Sequence, residues 1–315
     1  MEERYKRVPD WVYFFGTLPA LAALPRGLSF RLARLHARRL RVTRPANFER
    51  IVTMLDSAPS LGKLSEKSRE RIALQVFEKI VCEDLDAYYF PFWKPPNIKR
   101  YFTFEGLEFL VKALQAGRGV LLYTAHFGSV CAPVVALSLS GYHLHQLSRD
   151  SREDRSFPPA FRAYARFKTG WMARKMGQPL MFIDSQDGVY SPESSTATTL
   201  TAFSLLARSQ IVSMAIDVPP HLVQGNQQVE FLGRPCRFPG GLVALAINTG
   251  ASVLPYFVVR DNSDPCRQRL IMQPEVPITG DMQSDLQAVV ERASQMIALH
   301  PEQWFAWDSF SLFWA

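Results

Sequence analysis

From about residue 100 onward, short apolar runs alternate with longer segments of helical spacing, whereas residues 10 to 115 read as mainly helical. Val120 to Tyr123 is a brief apolar run and predicts a buried strand. Phe127-Gly128-Ser129 supplies a turn, and Val130 to Leu139 is long and apolar enough for a helix. The pattern repeats with a strand over His143 to Ser148, a charged helix over Phe161 to Lys175, and a polar, turn-rich loop over Asp184 to Thr196. It continues with a strand over Ile211 to Ile216 that runs into Pro219-Pro220, and a helix over Leu242 to Thr249 behind Gly240-Gly241. Such alternation predicts an α/β fold, a central mixed sheet flanked by helices with a helical N-terminal part. No linker-like stretch and no internal repeat interrupts it, so residues 1–315 are expected to form a single domain.

Charge changes the picture at one place. Arg26, Arg31, Arg34, Arg38, Arg39, Arg41, Arg44 and Arg50 face only Glu49 in that stretch, so it carries as much charge as the whole chain's net +7. Just before it, Trp11 to Leu21 is apolar and aromatic, but too short and too interrupted by Gly16 and Pro19 to span a bilayer. Residues 10–50 are therefore expected to lie on an anionic membrane surface or to attract an acidic protein, the alternative being a solvated helix face packed on the core. Glu2, Glu3 and Asp10 mixed with Arg4, Lys6 and Arg7 do not make a secretory leader. The basic run lacks any nucleic-acid-binding context. Cys82, Cys131, Cys236 and Cys266 are scattered without a C-x-x-C pair, which predicts neither a metal site nor a disulfide framework and fits a reducing, cytoplasmic setting.

The candidate chemistry sits at His126. It ends a buried strand and faces the first turn of the next helix, where ligands of open α/β sheets bind and where helix N–H groups meet developing negative charge. Cys131 lies five residues on, and Asp217 ends another apolar strand.

The stretch around His126 resembles the His-x4-Asp/Glu signature of the lysophospholipid acyltransferase superfamily, and Ala125-His126-Phe127-Gly128 is most similar to its lipid A biosynthesis (lauroyl/myristoyl) branch. Further likenesses follow in order. They are Arg41-Val42-Thr43-Arg44-Pro45-Ala46-Asn47, Leu64-Ser65-Glu66-Lys67, Phe231-Leu232-Gly233-Arg234-Pro235, Asn248 to Pro255, and His300-Pro301-Glu302-Gln303-Trp304. The resemblance implies an acyltransferase that uses an acyl carrier protein or coenzyme A thioester, needs no cofactor or metal, and is cytoplasmic or peripheral on the inner face of the cytoplasmic membrane. It further implies that Phe127, Gly128 and Ser129 contact substrate, and that a basic set of Arg149, Arg152, Arg155, Arg162, Arg166, Lys168, Arg174 and Lys175, with Arg149, Arg174 and Lys175 the substrate contacts, holds anionic substrate groups. Asp217 keeps the first acid of a similar Asp-Gln-Asp segment, while Pro219 replaces the second.

One position departs from that pattern: Cys131 stands where the motif acid is expected. Three readings follow. Cys131 is a nucleophile activated by His126, or a small apolar filler, or a bystander to a histidine oriented by Asp150, Glu153 or Asp217. The first gives an acyl-enzyme whose oxyanion meets the N–H groups around Gly128 and Ser129. The alternatives are direct transfer with His126 as general base, hydrolysis of the thioester, and a non-catalytic scaffold that binds acyl carrier protein.

Overall fold

The computed structural model describes residues 9–315, so the mixed-charge leader over residues 2–7 lies outside the described residues. The N-terminal part is helical, as the pattern predicts: α1 (Pro9–Val12), a π-helical turn (Tyr13–Thr17), α2 (Leu18–Ala22), α3 (Arg26–Thr43), α4 (Pro45–Asp56) and α5 (Glu66–Asp86). Ser65 caps α5 by accepting the Ser68 N–H at 3.2 Å, a side-chain oxygen satisfying one of the free donors of the first turn.

The second half of α5 is buried although it carries Glu78, Lys79, Glu83, Asp84 and Asp86. It packs against α3, α4 and the C-terminal segment Pro301–Gln303. Burying charge is costly unless it is paired, and these groups are paired. Glu78 accepts from Arg34 and Arg38, the Lys79 ammonium meets Asn262 Oδ1 at 2.6 Å, and Asp86 accepts from Arg260 and from Gln268. Burial draws the Lys79 amine down to about 8.

The rest alternates: β1 (Phe102–Glu105), α6 (Leu107–Gln115), β2 (Val120–Thr124), α7 (Ala132–Leu139), β3 (Leu144–Arg149), α8 (Pro159–Met176) and β4 (Met181–Ile183). A small hairpin, β5 (Ser185–Gln186) with β6 (Val189–Tyr190), leads to α9 (Pro192–Ala207) and β7 (Ile211–Ala215). A second hairpin, β8 (Asn226–Phe231) with β9 (Arg234–Pro239), precedes α10 (Gly241–Thr249), β10 (Ser252–Arg260), β11 (Gln268–Met272) and α11 (Met282–Leu299). The loop expected over 184–196 is instead that first hairpin and the start of α9. Asp187 and Gly188 take the positive φ of a tight turn, and Ser191 caps the helix by accepting the Ser194 N–H.

Seven strands form one sheet in the order β1-β11-β10-β2-β7-β3-β4. Only β10 and β11 pair antiparallel; the other neighbours run parallel, which makes the mixed sheet the alternation predicts. β2 and β10 are buried along their whole length, which explains why both read as unbroken apolar runs rather than alternating ones. Among the described residues no helix is long and apolar enough to cross a membrane.

Candidate active site

Sheet register brings the site together. β2 and β7 are parallel neighbours with Thr124 opposite Ala215, and the Ile216 N–H extends the ladder to the Thr124 carbonyl at 2.9 Å. Two residues beyond Thr124 and Ala215 lie His126 and Asp217, on the same face because side chains repeat every second residue. His126 Nδ1 is 2.9 Å from Asp217 Oδ1, and the His126 backbone N–H lies 3.0 and 2.9 Å from the two carboxylate oxygens. Trp304 donates its indole N–H to Asp217 Oδ2 at 2.8 Å. Asp217 is thus buried with every contact a donor, while the imidazole side chain keeps 38% of its surface exposed.

The ring's proton affinity follows from this setting. Burial pulls the imidazole pKa down, but the charge of Asp217 and its hydrogen bond outweigh it, so the net shift is upward. Glu83 adds to the rise and Lys168 opposes it. Among the three acids considered at the sequence level, only Asp217 reaches His126. Asp150 is held by Arg152 at 2.6 and 2.8 Å, and Glu153 pairs with Arg166 at 2.9 Å.

The turn after His126 is pinned by the C-terminal segment. The Gly128 N–H donates to the Gln303 carbonyl at 2.7 Å, and the Phe305 N–H donates to the His126 carbonyl at 2.8 Å. Ser129 directs its N–H at the Phe127 carbonyl. The N–H groups of Gly128 and Ser129, expected to face an oxyanion, are therefore engaged within the protein. Phe127 is fully buried and packs edge-on against Phe257, so it supports the turn from behind.

Cys131 precedes α7, and its N–H donates to Glu83 Oε1 at 3.0 Å; Ser129 donates its hydroxyl to Glu83 Oε2. Burial pushes the thiol up to about 12. Glu83 reinforces that shift against the opposing charge of Lys168. A thiol so placed is protonated at neutral pH.

The basic set divides. Arg149 turns inward, donating to Asp154, to Ser185 Oγ at 2.9 Å and to Ser156 Oγ at 3.0 Å, and Asp154 is held at about 2 because these bonds outweigh its burial. Lys175 donates to the carbonyls of Pro91 and Trp93, and Arg174 lies over Trp171. Arg149 and Lys175 thus hydrogen-bond within the protein, while Arg174 stays exposed. Lys168, also on α8, is the member of the set whose charge acts on both His126 and Cys131. Glu83, Gln303 and Trp304 were not singled out from sequence as site residues. Three acids, Glu83, Asp84 and Asp86, directly after the apolar run Ile80-Val81-Cys82 were the available signal. Among the described residues no group of three or more His, Cys, Asp or Glu is placed to hold a metal ion.

Residues 4–154 and 193–307 match the model of the family described as bacterial lipid A biosynthesis acyltransferase. The chain is also similar to the phosphatidylinositol mannoside acyltransferase of Mycobacterium tuberculosis, in the CDC 1551 and H37Rv strains alike, at 34% identity over 84 residues. That match spans 26% of this chain and 26% of each relative's length. The unmatched stretch 155–192 holds α8, and with it Lys168.

Proposed function

The chain belongs to the bacterial lipid A biosynthesis acyltransferase family, and from that premise we propose that it moves an acyl group directly from a thioester to a hydroxyl or amine acceptor, with His126 as general base. The observation that carries this reading is the buried Asp217 carboxylate on His126 Nδ1. Donating Nδ1–H to Asp217 leaves the Nε2 lone pair to take the acceptor's proton, while the carboxylate stabilises the imidazolium that forms. The acceptor's oxygen or nitrogen bonds to the thioester carbonyl carbon. The tetrahedral intermediate then expels the thiolate, which takes the proton back from the imidazolium. With the turn N–H groups engaged, we assign Lys168 to offset the developing oxyanion charge. The basic surface favours an acidic acyl carrier protein over coenzyme A as donor.

A covalent route through Cys131 asks for a thiolate, and a thiol pushed up to about 12 supplies almost none at neutral pH. Cys131→Ala keeps the backbone N–H that Glu83 accepts, and is expected to retain acyl transfer within about threefold of wild type. The check is intact-protein mass after incubation with acyl carrier protein and coenzyme A thioesters, with donor consumption followed after adding acceptors. An acyl adduct present on wild type and absent from Cys131→Ala restores the acyl-enzyme reading. Consumption with water alone marks a thioesterase, and no consumption with any acceptor moves the scaffold reading forward.

The reaction is further proposed to take place at an anionic membrane surface. Trp11, Val12 and Phe15 are exposed, and along α3 the outward positions Leu28, Arg31, Leu35, Arg39 and Val42 alternate apolar and basic groups, with Val42 80% exposed. Arg34, Arg38, Arg41 and Arg44 instead pair within the protein. Flotation should recover the protein with phosphatidylglycerol vesicles and much less with phosphatidylcholine ones, and Arg31→Glu/Arg39→Glu should weaken recovery severalfold. Absence from both vesicle types would sink this part of the reading.

A further inference from the structure

We infer that Glu83, reaching in from α5, supplies from another element the carboxylate that position 131 lacks, and acts as a positioning residue that pins the Ser129–Cys131 turn following His126 and brings a negative charge to that turn. Its catalytic consequence rests on His126 being the base, but its structural and electrostatic content does not.

The geometry gives Glu83 two separate tasks. Oε1 takes the Cys131 N–H at 3.0 Å, and Oε2 takes the Ser129 hydroxyl. Both carboxylate oxygens are thus committed to the short span between His126 and α7. Cys131 is the residue at the N-terminal cap of α7, and its side chain makes no capping bond. An acid is a preferred residue there, because a carboxylate can take the N–H groups of the first turn. Here a carboxylate reaches the cap residue's own N–H instead, from a helix distant in sequence, 46 and 48 positions from the two residues it binds. Glu83 is 8% exposed, and a carboxylate so buried persists only where donors hold it.

The same placement makes an acid at 131 and an acid at 83 mutually exclusive. A carboxylate at 131, on the turn that Glu83 already holds, would put two buried negative charges close together; they repel each other, and one must take up a proton or move. This accounts for the cysteine: it is small and neutral, and its N–H remains free to donate to Glu83. The charged groups with the largest effects on His126 are Asp217 from beyond β7, Lys168 from α8 and Glu83 from α5. Besides His126, Glu83 acts on Cys131, Tyr164 of α8, Asp86 of its own helix and Arg260 of β10. Within this set Glu83 raises the affinity of the imidazole for its proton and Lys168 lowers it.

Glu83→Gln separates charge from bonding. The amide oxygen can still accept the Cys131 N–H while the amide NH2 donates to the Ser129 hydroxyl oxygen, so the turn stays pinned and only the charge is lost. The experiment compares wild type, Glu83→Gln, Cys131→Asp and the double variant by two readouts that need no acyl donor: NMR titration of the His126 ring, assigned with His126→Gln, and the thermal midpoint. Glu83→Gln should lower the His126 pKa with little change in midpoint. Cys131→Asp alone should lower the midpoint, and Glu83→Gln/Cys131→Asp should bring both quantities back toward wild type, beyond the sum of the single effects. If a single variant does not fold, recovery of folded protein in the double variant gives the same support. An unchanged His126 titration in Glu83→Gln, or a double variant no better than the sum of its parts or itself unfolded, would overturn the assignment. Because neither readout involves transfer, a failed acyltransferase assay leaves this result standing, and the reverse holds too.

Discussion

Asp217→Asn is expected to lower the turnover of acyl transfer by about 10^2- to 10^4-fold, and His126→Ala by at least as much, with the fold retained in both. The asparagine keeps the shape but not the bonding. Asp217 faces three donors, the His126 backbone N–H, the ring Nδ1 and the Trp304 indole N–H. An amide offers one acceptor oxygen and an NH2 that must point at one of those donors. With the NH2 toward the ring, Nδ1 becomes the acceptor and the proton moves to Nε2, the atom that has to take the acceptor's proton. The pH profile separates this from a merely loosened fold. The neutral imidazole is the working base, so wild-type turnover should rise with pH through a pKa displaced upward from the ordinary 6.5. In Asp217→Asn the charge that outweighs burial is gone, and the inflection should move to lower pH. Stability runs the other way. A raised folded-state pKa gives a contribution fully present below 6.5, the unfolded value, and lost as pH rises through the folded one. Thermal midpoints of wild type and Asp217→Asn should therefore differ most on the acid side and converge at high pH. A variant with wild-type turnover and an unmoved inflection would remove Asp217 from the mechanism.

The histidine and its partner were legible in different degrees. His126 could be placed because strand, turn and helix are local patterns, and Asp217 because it ends another apolar strand. Their contact was one option among three, since nothing local says that β2 and β7 are neighbours; that follows from the sheet order. Glu83 and Trp304 were out of reach for the same reason, lying 46 and 87 residues from the groups they bind. Arg149 shows the converse. A guanidinium at a strand end reads as an anion site, but five residues on Asp154 folds back to it, and Ser185 arrives from β5 to complete the cage. On α8, spacing predicted a charged surface helix, yet Lys168 turns inward where Arg166 stays exposed. Periodicity locates elements, whereas which charges are spent within the protein depends on what packs against them.

Gly128→Ala should be among the most damaging single substitutions, destabilising the protein by about 3–5 kcal/mol and abolishing transfer in whatever folds. Gly128 has φ +64°, a conformation that side chains rarely adopt, and a Cβ built there overlaps the Val258 carbonyl oxygen of β10 outright, with Gln303 Oε1 at 3.2 Å on the other side. Backbone, unlike a flexible side chain, cannot step aside, so the turn itself must move. Its freedom to do so is small. The Gly128 N–H is tied to the Gln303 carbonyl, and Gln303 is tied in turn to Arg260 through both its side-chain oxygen and its NH2. Any shift is passed to His126, whose carbonyl holds Phe305, and to Trp304, whose indole holds Asp217. The strand end, the C-terminal segment and the His126–Asp217 pair thus share one hinge-free corner. Urea unfolding checks the energy, expected as a lower midpoint at an unchanged slope. Trp304→Phe supplies the contrast: it deletes one donor to Asp217 and leaves the Gly128 turn intact, so it should reduce turnover while costing far less stability. Equal stability of Gly128→Ala and wild type would mean that β10 does not constrain the turn, and with it the rigid placement of His126 would fall.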